Sequence, residues 1–498
     1  MSIDEYILSI DQGTTGTTVV LVGSNGRPIG HTYREISQYY PKPGWVEHDP
    51  EEIWTSVIEG IDELLMLTGV GSNQLRSIGI TNQRQTTVIW DADTGKPVCP
   101  AVVWQCRRTQ SYCDLLKERG LEELVRESTG LTIDPYFSAT KIRWILDSIP
   151  DGQKRAEQGE LLFGTIDSWL IWRLSGGRDH LTDITNAATT MLYDITTLSW
   201  SGTILTALNI PVSMLPTVVP CSGALSMAVV GIFKDQNVAI TGVIGDQQSA
   251  LFGQMCFDRG MVKCTYGTGA FILMNTGDEI IRSSRGLLTT VAWQIDEDIT
   301  YALEGSVFSA GATVQWLRDG LNFFNKSEEI EDLARSVDDS AGVYLVPAFT
   351  GLGTPYWDSS ARGVMVGLTR GVNKGHIARA ALESIAFQCA DVIEVMGEES
   401  GISLDSVRVD GGASKNTLLM EFQANISQSL IERPVNIETT VLGAAFLSGI
   451  GSGLWLDKED VRRLWESGSK WRPEMDLDEV AKQQGSWRKA VTRAMDWI

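Results

Sequence analysis

Short apolar runs alternate along the chain with segments in which apolar residues recur at helical spacing. Residues 6–10 form one such run, which ends at Asp11, and residues 17–22 form a second run after a turn rich in glycine and threonine. Two apolar runs joined by a turn predict a β-hairpin. From Glu51 to Met66 the apolar positions follow a helical period after the start signal Asp49-Pro50, so this segment is predicted to be an α-helix.

The pattern then returns to a strand at residues 78–80, and helical spacing appears again at residues 377–396. This alternation is typical of layered α/β architecture and argues against a helix bundle or a β-sandwich.

Similar signals begin again near the middle of the chain. Residues 238–244 form an apolar run that ends at Gly245-Asp246, and residues 261–265 form another that ends at Tyr266-Gly267-Thr268-Gly269. A later run ends at Asp410-Gly411-Gly412. We therefore expect two α/β lobes around one cleft, with residues 1–253 in the first lobe and residues 254–498 in the second.

Composition narrows the class of protein. The 498 residues correspond to roughly three average domains, and 43% hydrophobic with 21% charged residues is an ordinary globular mixture. The net charge of -22 repels nucleic acid and anionic lipid. A small anion such as a nucleotide remains possible, because backbone N–H groups in a turn can bind phosphate without a basic patch.

Cysteine usage and the chain start favour a cytoplasmic protein. The seven cysteines contain no C-x-x-C pair, so we expect free thiols and neither a disulfide framework nor a zinc site. The first residues lack the basic region of a signal peptide. Two long uncharged stretches, residues 195–233 and 439–456, are interrupted by proline or glycine, so we interpret both as protein core and not as membrane spans.

Three predicted strand ends carry glycine next to an acidic or hydroxyl residue. These are Asp11-Gln12-Gly13-Thr14-Thr15-Gly16, Gly267-Thr268-Gly269 and Asp410-Gly411-Gly412-Ala413. Ligands collect at the carboxyl ends of strands in α/β sheets, and glycine lets backbone N–H groups approach a phosphate. Each loop alone is more often an ordinary turn. The sequence has neither a P-loop motif nor a dinucleotide fingerprint.

Asp246 is the first candidate catalytic residue, because it follows an apolar strand and precedes a predicted helix. It is either a helix N-cap or a carboxylate placed to take a proton from a hydroxyl. Arg84 and Gln85 lie in a polar row, residues 81–87, whose many donors and acceptors suit a polyhydroxylated ligand. The four histidines are scattered and none belongs to a nucleophile motif, which argues against a hydrolase triad.

Several long motifs occur in the order found in one enzyme family. They are Asp11-Gln12-Gly13-Thr14-Thr15, residues 40–50 (YPKPGWVEHDP), residues 104–109 (WQCRRT), Gly245-Asp246-Gln247-Gln248, Tyr266-Gly267-Thr268-Gly269, residues 347–353 (PAFTGLG) and Asp410-Gly411-Gly412-Ala413. From about Tyr6 to the region of Trp487 the chain resembles the glycerol-phosphorylating members of the FGGY carbohydrate kinase family.

The resemblance implies an α/β fold of two actin-like, ribonuclease-H-like lobes with a central catalytic cleft. It implies ATP-dependent phosphorylation of glycerol to sn-glycerol 3-phosphate, with ATP and Mg²⁺ as cofactors and a homodimer or homotetramer as the assembly. Asp246 matches the catalytic base and a substrate contact. The other polyol contacts would be Arg84, Gln85, Tyr136 and Gln247, with Trp104 and Phe271 as an apolar wall.

The resemblance also assigns the nucleotide and metal contacts. The first phosphate loop would consist of Thr14, Thr15 and Gly16, with Thr18 as a further nucleotide contact beside it. The second phosphate loop would contain Thr268. Nucleotide contacts of the second lobe would be Gly311, Gln315, Gly412 and Asn416. Asp11 and Asp246 would lie nearest Mg²⁺.

Three departures from the family pattern limit these expectations. Gln85 stands where the family usually has glutamate, Thr18 where it usually has arginine, and residues 231–236 lack the glycine-rich segment that binds fructose 1,6-bisphosphate in some relatives. A kinase for another small polyol or sugar, such as a tetritol or pentulose, therefore remains an alternative. A weakly active ATP-binding sensor is a third hypothesis.

Overall fold

A sheet of thirteen strands runs through both halves of the chain. The computed structural model describes residues 5–234, 236–404 and 406–498. The strands of the first half are Tyr6–Gln12 (β1), Gly16–Gly23 (β2), Pro28–Glu35 (β3), Glu47–His48 (β4), Leu75–Asn82 (β5), Val88–Asp91 (β6), Ala101–Val102 (β7), Leu161–Gly164 (β8), Leu181–Asp183 (β9), Tyr193–Asp194 (β10), Ser199–Trp200 (β11), Thr217–Val219 (β12), Ser222–Ala228 (β13) and Val238–Gly245 (β14). Those of the second half are Val262–Tyr266 (β15), Ala270–Gly277 (β16), Leu288–Ile295 (β17), Asp298–Val307 (β18), Tyr344–Val346 (β19), Val364–Val366 (β20), Ser406–Asp410 (β21), Leu430–Pro434 (β22) and Ser467–Trp471 (β23).

Helices cover both faces of this sheet. In the first half they are Pro50–Thr68 (α1), Gln110–Glu118 (α2), Glu122–Thr129 (α3), Ser138–Ser148 (α4), Gly152–Glu157 (α5), Ile166–Leu174 (α6), Ile184–Ala188 (α7), Gly202–Leu208 (α8) and Asp246–Gly253 (α9). In the second half they are Gly311–Gln315 (α10), Glu329–Arg335 (α11), Lys374–Ser400 (α12), Thr417–Ser427 (α13), Thr439–Gly451 (α14), Lys458–Arg462 (α15) and Leu477–Ala494 (α16).

The two halves repeat one strand arrangement. In the first half β1, β2 and β3 are antiparallel neighbours, and β5 and β14 continue from β1 in parallel. In the second half β15, β16 and β18 are antiparallel, and β21 and β22 continue from β15 in parallel. Three antiparallel strands followed by two parallel ones form the ribonuclease-H-like arrangement. The predicted α/β class, the hairpin and the restart near the middle of the chain are confirmed.

Local sequence signals explain where individual elements begin. Helix α1 starts at Pro50 because Asp49 caps it, its carboxylate oxygen accepting the backbone N–H of Glu51 at 2.9 Å. It ends at Gly69, whose left-handed backbone suits glycine. The helix predicted at residues 377–396 is the central part of the longer α12.

Helix α14 comes from the second half of the chain but packs across the sheet of the first half. The hydroxyl of Ser9 in β1 donates to the carbonyl of Val441, and Thr241 in β14 donates to that of Ser448. A Cβ on Gly443 would overlap the carbonyl oxygen of Ser249, and one on Gly253 would overlap that of Thr439. Helices α9 and α14 therefore touch through their backbones.

Of the two uncharged stretches, residues 439–456 lie in this folded core, as expected, whereas residues 195–233 alternate between buried and exposed positions. Residues 439–456 contain the largely buried α14, and residues 195–233 are divided among short elements. Within the described ranges, no helix is both long and apolar enough to cross a bilayer. All seven cysteines are free, and only Cys99 is partly exposed. Of the loop at residues 231–236, Asp235 lies outside the described residues.

Candidate active site

Asp246 stands at the carboxyl end of β14 as the first residue of α9. The N-cap of α9 is Gly245, so the interpretation of Asp246 as an N-cap is wrong. One Asp246 oxygen lies 3.0 Å from Nε of Arg84 and accepts the backbone N–H of Gln247 at 2.7 Å. Burial raises the pKa of Asp246, and the Arg84 and Lys263 cations partly offset this. A carboxylate with a raised pKa accepts a proton more readily, which suits a general base.

Arg84 is buried and joins carboxylates from the two halves of the chain. Its Nη1 and Nη2 donate to both carboxylate oxygens of Glu304, at 2.7 and 2.6 Å, while Nε faces Asp246. Burial opposes the charge of Arg84, but the Glu304 carboxylate outweighs it and raises the pKa of the guanidinium. A bidentate pair of this kind fixes the orientation of the guanidinium. The sequence prediction missed Glu304, although a lone glutamate in the apolar strand β18 was a usable signal.

The two side chains predicted to form an apolar wall, Trp104 and Phe271, contact each other. The ring centroid of Trp104 lies 5.7 Å from that of Tyr136 and 6.2 Å from that of Phe271, both edge to face. Phe271 belongs to β16 of the second half, so the wall spans both halves. The indole N–H of Trp104 donates to Oγ1 of Thr14 at 2.8 Å. Trp104 of the predicted wall is thus hydrogen-bonded directly to the predicted first phosphate loop.

Gln85 and Gln247, two of the predicted polyol contacts, differ in how their side-chain amides are bonded. Gln85 is 2% exposed and its Nε2 has no hydrogen-bond partner among the described residues. The side-chain oxygen of Gln247 accepts from Nζ of Lys263 at 2.6 Å, and Lys263 also donates to the carbonyl of Phe271 at 3.3 Å. Burial lowers the pKa of Lys263. Lys263 was missed by the sequence prediction, although it is a single charge within the apolar strand β15.

The first predicted phosphate loop connects β1 to β2. The N–H of Gly13 donates to the carbonyl of Gly16 at 2.9 Å, and a Cβ on Gly16 would lie 2.5 Å from the backbone carbonyl oxygen of Arg34, so only glycine fits there. Thr18 pairs with Asp11 across the hairpin. The loop is therefore a tight turn next to the Asp11 carboxylate.

The second predicted phosphate loop packs on the start of α10. The carbonyl of Thr268 accepts from the N–H groups of Ala310 and Ala312, at 2.9 and 3.0 Å, and the carbonyl of Gly267 accepts from Gly311 at 3.0 Å. Gln315 ends the same helix. Thr268, Gly311 and Gln315 are thus brought together.

Gly412 and Asn416 lie beyond β21. Gly412 has open space where a Cβ would be, which leaves room for a ligand. The side-chain oxygen Oδ1 of Asn416 caps α13 by accepting the N–H of Leu419 at 2.9 Å, so the side-chain nitrogen Nδ2 is the group that could contact a nucleotide.

Asp11 is the side chain best suited to a divalent cation. Burial and the negative charges of Asp246 and Glu438 raise its pKa to about 8. A cation among these carboxylates would relieve that repulsion. Across the described ranges, no three His, Cys, Asp or Glu side chains cluster closely enough to hold a metal. Mg²⁺ commonly uses one or two carboxylates together with water and substrate phosphates, and this donor set fits that mode.

Comparison with known proteins places this geometry in one family. The sequence patterns of the FGGY family of carbohydrate kinases match residues 6–253 (N-terminal domain) and 262–452 (C-terminal domain). The chain is 53% identical to a glycerol kinase of Carboxydothermus hydrogenoformans, over 99% of each chain. It is also 53% identical to one of Staphylococcus epidermidis, over 98% of each chain.

Solved structures share the fold. A glycerol kinase of Plasmodium falciparum, crystallised with ADP, superposes with a TM-score of 0.92 at 36% identity over 99% of each chain. A xylulose kinase of Lactobacillus acidophilus has a TM-score of 0.87 at 23% identity, over 98% of this chain and 97% of that one. The expected actin-like, two-lobed fold is confirmed, and the chain belongs to the FGGY family of carbohydrate kinases.

Proposed function

We propose that this chain catalyses ATP-dependent phosphorylation of glycerol to sn-glycerol 3-phosphate. The observation that carries the proposal is the hydrogen bond between Trp104 of the polyol wall and Thr14 of the first phosphate loop. It supports a polyol site beside a phosphate site, the arrangement that phosphoryl transfer requires. The two relatives at 53% identity, both glycerol kinases, support glycerol as the substrate.

Asp246 is proposed as the general base. It takes the proton from the glycerol hydroxyl as the oxygen of that hydroxyl bonds to the γ-phosphorus of ATP and the bond to ADP breaks. Arg84 holds the Asp246 carboxylate in place while remaining bound to Glu304. Gln85, Tyr136 and Gln247, with Arg84, are the proposed partners of the glycerol hydroxyls, and Trp104 and Phe271 pack against its carbons.

The remaining predicted residues are proposed to bind the nucleotide. Thr14, Thr15, Gly16 and Thr18 would face the phosphates from the first lobe and Thr268 from the second, with Gly311, Gln315, Gly412 and Asn416 around the nucleoside. Asp11, with Asp246 nearby, would hold Mg²⁺, which when bound neutralises phosphate charge. We also propose the lobe division near residue 253, a cytosolic location and a homodimeric or homotetrameric assembly.

A panel of polyols in an assay of ADP release tests the proposal. We expect the highest kcat/KM for glycerol, compared with tetritols and pentuloses at equal concentration. Preference for another polyol would move the substrate assignment to that compound and would point to Gln85 as the reason. ATP binding without polyol-dependent ADP release would support the sensor hypothesis instead.

A further inference from the structure

Lys141 is a buried lysine that the mechanism above does not use. It lies in the first turns of α4 and is 0% exposed. Its Nζ donates to two backbone carbonyls, those of Tyr136 at 2.8 Å and Gln85 at 3.2 Å. None of the ion pairs found among the described residues includes it. Burying an amine without a paired carboxylate costs free energy, so its retention calls for a specific role.

The Gln85 carbonyl is an unusual acceptor. Gln85 has a φ of 62°, a left-handed conformation that costs free energy for a residue other than glycine. Besides Lys141, the hydroxyls of Ser138 and Thr87 donate to this carbonyl, at 3.0 and 3.1 Å. Three donors on one oxygen stabilise the strained backbone and fix the orientation of the peptide that follows Gln85.

Tyr136 is held from both sides. Its N–H donates to the Asp134 carboxylate at 2.8 Å, and its carbonyl accepts from Lys141. Asp134 is in turn paired with Arg107, with two contacts of 2.7 and 3.0 Å. Lys141 therefore connects the segment that carries Gln85 to the segment that carries Tyr136.

We propose that Lys141 is a positioning residue that sets the spacing between Gln85 and Tyr136 and so determines the affinity for the polyol. The inference rests on the proposed function, because both residues are assigned there as polyol contacts. Lys141 acts through the two backbone carbonyls and does not touch the substrate. The residues proposed to bind the nucleotide lie on other segments, so loss of Lys141 should affect the affinity for ATP much less than the affinity for the polyol.

Steady-state kinetics of three variants test this role. Lys141→Met keeps the apolar stem and removes both donors. It should raise KM for glycerol about tenfold or more and leave KM for ATP within about twofold. Ser138→Ala removes one of the other donors to the Gln85 carbonyl and should also raise KM for glycerol, by a smaller factor than Lys141→Met. Ser148→Ala, at the far end of α4, removes a hydroxyl that donates to the Trp144 carbonyl and should change neither constant.

The outcomes separate a positioning role from a structural one. Variants that melt earlier but keep the parent KM for glycerol, or that change both KM values alike, would overturn the inference. If Lys141→Met does not fold, the same comparison of KM for glycerol with KM for ATP is made on Ser138→Ala, and an unchanged KM for glycerol overturns the inference. If the parent prefers another polyol, KM for that compound is measured, so that the substrate assignment can fail while the positioning role holds. A parent inactive on every polyol would overturn both.

Discussion

At the scale of single residues, Asp246 has the clearest expected effect. Asp246→Asn keeps the side-chain shape and an oxygen that faces Arg84, but it can no longer take a proton. We expect kcat with glycerol to fall by roughly 10²–10⁴ while glycerol binding, measured by calorimetry, persists. Asp93→Asn, on an exposed turn, is the matched control and should behave as the parent. A kcat for Asp246→Asn within about threefold of the parent value would remove Asp246 from the catalytic role.

Gln85 is the residue at which the chain departs from its family inside the polyol site. Its buried Nε2 has no hydrogen-bond partner in the part of the chain that the structure describes, so Gln85→Glu replaces an unsatisfied donor with a charged acceptor for a hydroxyl. We expect KM for glycerol to decrease about fivefold, equivalent to ~1 kcal/mol, with little change in kcat. Loss of glycerol activity in this variant, with a parent that prefers another polyol, would show that Gln85 selects a different substrate.

The sequence predicted the site unevenly, and the reason is visible in particular residues. Asp246, Arg84 and Gln85 could be singled out because they follow apolar strands, and strand ends gather ligands. Lys141, Lys263 and Glu304 could not be paired with them, because each contacts residues distant in the chain. For Lys263 and Glu304 a lone charge within an apolar run was the one local sign, and Lys141, with Arg143 two residues away, had no such sign.

At the scale of elements, the crossing of α9 and α14 depends on glycine. Gly443→Ala would push a methyl group into the Ser249 carbonyl, which is backbone and cannot move aside. We expect this overpacking to cost roughly 1–3 kcal/mol and to lower Tm in a thermal melt. Gly485→Ala is the control, because a Cβ on Gly485 in α16 meets nothing within 4 Å, so its Tm should equal or exceed that of the parent. Equal Tm values for the two variants would contradict the close crossing.

The elements themselves were largely predictable. Alternating apolar periods identified the hairpin, α1, β5 and α12, and the Asp49-Pro50 signal marked where α1 starts. The sequence did not show that α14 would cover β5 and β14, because two of its glycines, Gly443 and Gly451, meet backbone atoms almost 200 residues or more away. Which half of the chain such a helix covers is decided by tertiary packing.

At the scale of the whole molecule, a buried acid pair makes stability depend on pH. Burial and the charge of Asp183 raise the pKa of Asp167 to about 7, from 3.8 in an exposed aspartate. Because the folded-state pKa is the higher one, this contribution to stability is complete below about pH 4 and is lost as the pH rises towards 7. Asp167→Asn removes the pH dependence that comes from titration of Asp167. The Tm of the variant minus the Tm of the parent should therefore increase between about pH 5 and pH 8. A constant difference in Tm would contradict a raised pKa.

In the proposed function, the two lobes hold a polyol and a nucleotide on either side of the Asp246 carboxylate. The Arg84–Glu304 pair and the Trp104–Phe271 contact join the lobes at the polyol end. Exclusion of water there would direct the phosphoryl group to glycerol and away from hydrolysis.

The most direct test is to follow the γ-phosphoryl group of labelled ATP in the presence of glycerol. The account predicts that the label appears in sn-glycerol 3-phosphate in a one-to-one ratio with ADP. Label that appears in inorganic phosphate while glycerol stays unmodified would contradict it.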